Sequence, residues 1–471
     1  MSVEGVLLLD HNDEPAAMLL DSFRRAGFTG PAIVLSEDVY LPAGMSSLYR
    51  LACQDEGPAA FPGAVRGACA PDDDRQRRYR LAHAGWMPGA GRRFNQIEVP
   101  DYWEIAADGT SGTVHDRNRL RARLFYARGT EGRIVSDVDW LDEGATVRFT
   151  DHYDREGILR ARTTFNGRGQ RFCRSWFDDL GRERIVENYV TGDIVVTRNG
   201  ATQLYRSRTD LAVAILRERG LEGRRFFYNS LSTPLFATER LAPAPEGNVL
   251  FWQERPRPDI PGNMQMILDG KSRTSLILVQ NAESCAKLRA LGASAAYVRP
   301  CGFVYGFRRR NAGGSDVLIC TNSDQIEGLG EIVEGLPRMT FHIAALTEMS
   351  ARLLAFGSRP NVRLYPVASK KTLAGLFDRC DWYLDINRGS EIVSSVKRAF
   401  LHDQLIVGFA DTLHRPRYVA PAHVCRTAGD VAALVRDLAA SQDALHDHLS
   451  QQRKAAMAED ADAFRSLIAP R

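Results

Sequence analysis

The sequence predicts an α/β protein with two Rossmann-like domains and an antiparallel β-meander inserted in the first of them. Three patterns support this prediction: a strand–helix–strand opening, a repeat of twelve residues in the middle of the chain, and a regular alternation of strands and helices after residue 316. They place the first Rossmann-like domain at 1–96 and 199–310, the meander at 97–198, the second Rossmann-like domain at 311–440 and a C-terminal helix at 441–471.

The first domain opens as a βαβ unit. The apolar run Val6–Leu9 predicts a strand, residues 15–26 predict a helix that stops at a glycine, and Ala32–Leu35 predict the next strand. Residues 54–96 are rich in Gly, Pro, Ala and Arg, a composition that favours loops with a short helix. Mixed α/β patterns return over 203–310.

Aromatic residues recur every twelve positions in the middle of the chain, at Tyr153, Phe165, Phe177 and Tyr189. A glycine follows each of them closely, in most repeats with an Asp or Asn between. This pattern is typical of a strand and a tight turn, because glycine easily adopts the positive φ that such turns need. The repeat therefore predicts an extended antiparallel sheet.

The second domain shows five successive strand–helix alternations, which predict a doubly wound parallel sheet. The apolar runs and helical spacings give strands at 317–321, 340–344, 362–365, 382–386 and 405–409, and helices at 326–336, 348–355, 370–377, 391–401 and 431–438. Two Rossmann-like domains followed by a C-terminal helix are the arrangement of the GT-B fold of nucleotide-sugar glycosyltransferases. Because one fold hosts many functions, the residues of the site, and not the fold alone, indicate the function.

Composition excludes several other classes of protein. Of 471 residues, 44% are apolar and 25% charged, and the formal net charge of +3 is too balanced for a nucleic-acid-binding or polybasic membrane protein. The chain has neither a membrane-length apolar run nor a basic, apolar leader, so we expect a cytosolic location. The eight cysteines are scattered and the histidines lack ligand spacing; we expect free thiols and no metal.

Ligands of parallel sheets bind at the carboxyl ends of the strands. In the second domain these ends carry a set of polar residues, which we take as candidates for binding an acceptor or a sugar: Asn322, Ser323, Asp324, Gln325, Glu348, Asp385, Asn387, Ser390 and Glu391.

The same strand ends lack the groups that a retaining GT-B transferase uses. Such an enzyme places an Arg and a Lys after the first strand of this domain for the diphosphate, and the second Glu of a Glu-x7-Glu pair for the ribose. Neither Arg nor Lys follows Thr321, Glu327 would repel a diphosphate, and Ala399 occupies the position of the second Glu after Glu391. We therefore expect no catalytic residues.

Two alternatives stay open for these polar residues and for a neighbouring charge run. Residues 322–325 could cap a helix, and Asp385 and Asn387 could cap the end of their strand. The run Arg308–Arg310 is typical of a solvated linker, with contact to a phosphate or a partner as the alternative.

Several long motifs resemble one known family. They lie at Phe227–Pro234, Phe251–Glu254, Ile260–Gln265, Thr321–Glu327, Phe341–Ser350 and Tyr383–Asn387. Together these motifs resemble the glycosyltransferase-stabilising subunit of accessory Sec systems, and the similarity covers most of the chain except 36–96. This chain is rich in Arg and Ala, unlike the members of the family, so the resemblance does not identify its acceptor protein.

The resemblance implies a non-catalytic partner of a GT-B enzyme that transfers N-acetylglucosamine from UDP to Ser and Thr of serine-rich repeat adhesins before their export. The partner stabilises the enzyme and binds the unfolded acceptor polypeptide, in the cytosol with peripheral membrane association. We expect no cofactor and no nucleic acid. The meander is expected to be the surface that docks the enzyme or the acceptor, and its deletion to leave the Rossmann-like halves folded.

Two other functions remain as alternatives at this point. One is an active retaining GT-B glycosyltransferase with an atypical donor site, which the missing second Glu argues against. The other is a carbohydrate-binding module that has no enzyme partner.

Overall fold

The computed structural model describes residues 3–54, 89, 91–130, 132–242 and 244–469. The chain divides into two compact units, one made of residues 1–20, 27–300 and 468–471 and the other of residues 21–26 and 301–467. Most of the segment 54–96, for which we predicted loops and a short helix, lies outside the described residues. So does Cys69; the other seven cysteines are free thiols.

The first elements of the chain form the start of a parallel sheet. They are β1 (Val6–Leu9), α1 (Glu14–Arg25), β2 (Ala32–Val34), β3 (Met45–Ser47) and α2 (Leu48–Cys53). The sheet is completed after the meander by β14 (Phe226–Tyr228), β15 (Asn248–Trp252), β16 (Thr274–Val279) and β17 (Val298–Pro300), with α3 (Arg208–Glu218), α4 (Thr233–Glu239), α5 (Gly262–Leu268) and α6 (Ala282–Ala290) between or before them. Its strand order is β17-β16-β15-β14-β1-β2-β3.

The meander is a ten-stranded antiparallel sheet in which neighbours in sequence are neighbours in space. Its strands are β4 (Trp103–Ala107), β5 (Ser111–Asp116), β6 (Arg119–Tyr126), β7 (Val135–Leu141), β8 (Val147–Tyr153), β9 (Leu159–Phe165), β10 (Arg171–Phe177), β11 (Glu183–Asn188), β12 (Ile194–Arg198) and β13 (Ala201–Tyr205). A short 3₁₀ turn, Phe94–Gln96, precedes them.

The twelve-residue repeat is confirmed as one strand plus one turn, and the Asp behind the aromatic residue builds the turn. Asp154 Oδ1 accepts hydrogen bonds from the amides of Glu156 and Ile158, both at 2.9 Å. Asp178, two strands later, holds its own turn in the same way. Each turn closes on a glycine with positive φ, 79° at Gly157. The Asp side chain thus replaces strand pairing where the chain reverses.

One turn offers a matched test of this requirement for positive φ. Gly167 and Gly169 both have open space where a Cβ would lie, but only Gly169 has positive φ, at 72°. We expect Gly169→Ala to destabilise the first unit by about 1 kcal/mol and Gly167→Ala to leave it unchanged or slightly stabilised. Thermal unfolding of the two variants beside wild type checks this; equal melting temperatures would contradict the assigned turn.

The inner face of the meander shares a hydrophobic core with the first Rossmann-like sheet. Trp176 of β10 is 2% exposed and stacks on Tyr49 of α2, with ring centroids 4.2 Å apart. Ile185 and Val196 extend this core to helix α3. Deleting the meander would open this core to water, so the structure overturns our expectation that the Rossmann-like halves would remain folded without it.

The second unit contains a six-stranded parallel sheet in the order β20-β19-β18-β21-β22-β23. Its strands are β18 (Asp316–Cys320), β19 (Thr340–Ala344), β20 (Val362–Tyr365), β21 (Trp382–Asp385), β22 (Leu405–Phe409) and β23 (Val424–Cys425). Its helices are α7 (Leu329–Gly335), α8 (Ala351–Leu354), α9 (Lys370–Arg379), α10 (Ser395–Leu401), α11 (Ala428–Ala439), α12 (Gln442–Ala455) and α13 (Ala461–Ile468). Short 3₁₀ turns lie at Ala355–Ser358, Pro416–Tyr418 and Pro421–His423.

Two helices of the second unit begin later than predicted, at Leu329 instead of 326 and at Ser395 instead of 391. Left-handed residues stand directly before them: Gly328 at φ 62°, and Val393 and Ser394 at φ 46° and 51°. A left-handed residue cannot continue a right-handed helix, so the polar residues before it remain in loops.

The segment before β18, predicted as a flexible basic linker, is instead tied to the second unit by the buried carboxylate of Asp381. That carboxylate accepts hydrogen bonds from the guanidinium of Arg309 at 2.6 Å and from the amide of Gly314 at 2.7 Å. Arg308 and Arg310 remain exposed. Within the described residues, no helix is both long and apolar enough to cross a membrane.

Candidate functional site

The nine predicted site residues lie at or beyond the carboxyl ends of β18, β19 and β21. Strands β18 and β21 are central neighbours in the sheet, and the strand order reverses between them. The loops that follow these two strands are joined by backbone hydrogen bonds, from Glu327 to Ile386 at 2.9 Å and from Arg388 to Gln325 at 3.0 Å. The structure therefore brings residues 322–325 and 385–391 together at the point where parallel sheets bind ligands.

Asn387 is the polar centre of these joined loops. It is 2% exposed, and its Oδ1 accepts hydrogen bonds from the Thr321 hydroxyl at 2.9 Å and the Gly389 amide at 3.0 Å. Its Nδ2 is buried and has no hydrogen-bond partner among the described residues. Thr321, which is fully buried at the end of its strand, was not among the predicted site residues.

The carboxylate of Asp385 is held by His414, a residue that was not among the predicted site residues. The carboxylate, 1% exposed, accepts hydrogen bonds from the His414 amide at 2.8 Å and from its ring Nδ1 at 2.6 Å. The other ring nitrogen lies 2.6 Å from the Gly389 carbonyl, so both nitrogens donate and the ring is an imidazolium. The hydrogen bond to Asp385 raises the pKa of His414 to about 9, against the effect of burial.

Glu391 stabilises the start of helix α10. Its Oε1 accepts a hydrogen bond from the Val396 amide at 3.0 Å, and its Oε2 accepts one from Arg415 Nε at 2.7 Å. Ala399, at the position where a transferase would carry its second Glu, is fully buried in an apolar cluster.

The remaining candidates divide into two groups. Asn322 Oδ1 accepts from the Leu346 amide at 3.0 Å, Ser323 Oγ from the Gln325 amide at 3.0 Å, and Asp324 Oδ2 from the Ser350 hydroxyl at 3.1 Å. The side chains of Gln325, Glu348 and Ser390 are exposed to solvent. Local hydrogen bonding thus explains six of the nine residues, and three face outward.

Among the described residues at this edge of the sheet, the cationic side chains of His414, Arg415 and Arg388 are each paired with a carboxylate. His414 pairs with Asp385 and Arg415 with Glu391. Arg388 lies between Glu327, at 2.7 Å, and Asp411, at 2.9 Å. A diphosphate would have to displace these carboxylates to reach the cations, so the arrangement suits a neutral polar ligand better than a nucleotide.

The first unit contains a groove that the sequence analysis did not predict, with a cavity volume of about 1190 Å³. The loops after β1 and β2 form one side of it, and the inner face of the meander forms the other. Glu37 is central: Arg174 donates to it at 2.5 Å, and the Tyr189 hydroxyl donates to it as well. Burial opposes ionisation, but these two contacts and Arg208 lower the pKa of Glu37.

The meander wall of the groove presents Asp137, Asp139, Thr150 and His152. His152 is held between the Asp137 carboxylate at 2.6 Å and the Thr163 hydroxyl at 2.9 Å, and burial lowers its pKa. The groove is therefore lined by hydrogen-bonding groups on rigid strands. In the parts of the chain that the structure describes, no group of three metal-ligating side chains occurs.

Three protein-family models match this chain. They are described as the GtfB middle domain, over residues 103–206, the GtfB third domain, over 208–291, and the GftB/GlyA-F C-terminal domain, over 317–452. The first of them coincides with the ten-stranded meander.

Curated proteins named UDP-N-acetylglucosamine–peptide N-acetylglucosaminyltransferase stabilizing protein GtfB are similar over most of the chain. The protein from Streptococcus gordonii is 35% identical over 423 residues, 89% of this chain and 88% of the relative. The protein from Streptococcus agalactiae is 32% identical over 468 residues, 98% of each.

Solved structures agree with these similarities. A chain of the GtfA/B complex bound to UDP and GlcNAc matches with a TM-score of 0.84 at 32% identity, covering 98% of both chains. Accessory secretory protein 1,2 and 3 of Streptococcus pneumoniae matches with a TM-score of 0.61 at 10% identity, a likeness of fold alone. The predicted fold class is confirmed.

Proposed function

The chain belongs to the GtfB family of glycosyltransferase-stabilising proteins, and we propose that it is the non-catalytic subunit of a protein O-glycosyltransferase complex. In this proposal a catalytic GT-B partner transfers N-acetylglucosamine from UDP to Ser and Thr of a serine-rich exported protein. This chain stabilises the partner and binds the acceptor polypeptide. It works in the cytosol, with peripheral contact to the membrane.

One observation carries the non-catalytic assignment: the cations at the strand ends of the second unit are already neutralised. His414, Arg415 and Arg388 each pair with a carboxylate of the same edge. A transferase needs such cations free to stabilise the leaving diphosphate, which is where most of its catalytic power lies.

Two surfaces support the binding of an acceptor. The polar edge formed by residues 322–325 and 385–391, with Glu348 beside it, offers hydrogen bonds to hydroxyls and amides, and Gln325, Glu348 and Ser390 are free to reach a ligand. The groove of the first unit adds the carboxylates of Asp137 and Asp139, which accept hydrogen bonds from hydroxyls such as those of Ser and Thr.

The test is turnover by the separate and combined subunits. We expect the pure chain to neither hydrolyse UDP-N-acetylglucosamine nor transfer its sugar, the catalytic subunit alone to be poorly stable and weakly active, and the mixture to modify the acceptor. Release of UDP and the mass of the acceptor are the measurements. Turnover by the pure chain that Glu391→Ala abolishes would show instead an active transferase with an atypical donor site.

A further inference from the structure

Two arginines share one small cavity on the helical side of the second unit. The cavity has a volume of about 260 Å³ and is lined by Arg308, Ala374, Asp378, Arg398, Leu401 and His402. It lies against helices α9 and α10 and the segment before β18, away from the strand ends that carry the candidate residues.

A backbone hydrogen bond and a ring contact hold the two arginines at this cavity. The amide of Arg308 donates to the Leu401 carbonyl at 2.8 Å. The guanidinium carbon of Arg398 lies 4.3 Å from the centre of the Phe377 ring, which supports the cation from one side. His402, 4% exposed, donates from Nδ1 to the Arg398 carbonyl at 2.6 Å and so presents its other ring nitrogen to the cavity side.

Two neighbouring arginines of the same unit, by contrast, have carboxylate partners. Arg309 pairs with Asp381 and Arg453 with Asp403. In the described part of the chain, neither Arg308 nor Arg398 has a carboxylate oxygen within 4 Å. Burial lowers the pKa of Arg398, and the charge of Arg308 adds to the effect, as expected for two like charges close together.

Asp378, the acidic residue among the described lining residues, forms no ion pair with either arginine. Asp378 is 68% exposed, and its carboxylate lies 3.3 Å from the Nε2 atom of His402, whose pKa burial lowers. The cavity therefore combines two positive charges with guanidinium N–H groups that no carboxylate holds, beside the imidazole of His402.

We propose that Arg308, Arg398 and His402 form a binding site for a phosphoryl group. Two guanidinium forks supply more donors than a carboxylate can accept, whereas the three free oxygens of a phosphate monoester can engage both forks. The source of the phosphoryl group is either a soluble phosphate or the headgroup of an anionic phospholipid.

The experiment uses the full chain and inorganic phosphate as the probe. Titration calorimetry at constant ionic strength is expected to show one saturable site. Arg308→Gln and Arg398→Gln should each weaken the dissociation constant at least tenfold, while Arg338→Gln, an exposed arginine of the same unit, should leave it unchanged. Each Gln variant removes the repulsion between the two cations, and Arg398→Gln also loses the contact with Phe377, so we expect melting temperatures close to that of wild type in phosphate-free buffer.

Sedimentation with vesicles separates the two sources. Capture by phosphatidylglycerol vesicles but not by pure phosphatidylcholine vesicles, lost in both Gln variants, assigns the site to a lipid headgroup. Saturable phosphate binding without vesicle capture assigns it to a soluble phosphate. The proposal is overturned if phosphate and vesicles both fail to bind, or if the two Gln variants bind like Arg338→Gln.

Discussion

Replacing Asp385 by Ala is expected to destabilise the second unit by about 3 kcal/mol near neutral pH. The carboxylate is almost completely buried and binds both the ring and the amide of His414. Its removal leaves a partly buried imidazolium without its counterion, a change that typically costs about 3–5 kcal/mol; the ring can limit the loss by releasing its proton. Thermal and urea unfolding of the variant beside wild type measure the effect.

The same pair predicts how stability changes with pH. The folded pKa of His414, about 9, is raised above its usual value near 6.5. A raised pKa contributes stability that is complete below about pH 6.5 and is lost as the pH rises through 9. We therefore expect the difference between wild type and Asp385→Asn, which keeps the shape but removes the charge, to be large at pH 6 and small at pH 10.

Acceptor binding by the same variants separates a structural role from a recognition role. If Asp385 only positions the loops, binding of bare and of sugar-modified acceptor should fall together with the melting temperature. Loss of binding at unchanged stability would contradict this assignment and make Asp385 a direct ligand-binding residue. A stability difference that persists undiminished at pH 10 would contradict the ion pair itself.

The sequence predicted the fold well where patterns are local. The spacing of Tyr153, Phe165 and Phe177 defines strands because each repeat also contains its own turn residues, such as Asp154 and Gly157. The strand–helix alternation of the second unit could be predicted for the same reason. The helix starts were missed because the left-handed conformations of Val393 and Ser394 depend on surrounding contacts, not on their own preferences.

The position of the site at the strand ends was predicted from the sequence. The pairing of its charged residues could not be predicted. Asp385 and His414 are 29 residues apart, and no local pattern says that a loop after β22 returns to the end of β21. The faces of the meander were not predicted either. Cross-strand pairing puts Arg174 in line with Asp139, so Trp176 lies on the face opposite to the Trp140–Phe149 pair.

The outer face of the meander is the part we expect to dock the catalytic subunit. Val186, Val195 and Leu204 are cross-strand partners on β11, β12 and β13, and Leu204 is 50% exposed. Ser175 and Arg162 continue this row, which lies opposite to the core-facing Trp176 and Ile185. An apolar row on the solvent side of a sheet adds little to the fold of this chain, so it favours a protein contact.

We expect Val195→Asp and Leu204→Asp together to weaken association with the catalytic subunit at least tenfold while changing the stability of the isolated chain by about 0.5 kcal/mol or less per site. Since the substituted side chains point away from the shared core, this design avoids the unfolding that deletion of the whole meander would cause.

Leu291→Asp is the matched control, because Leu291 is equally apolar and is 39% exposed elsewhere in the first unit. Co-purification and the measured dissociation constant decide the outcome. If the double variant binds like the control, the enzyme docks on another surface of this chain.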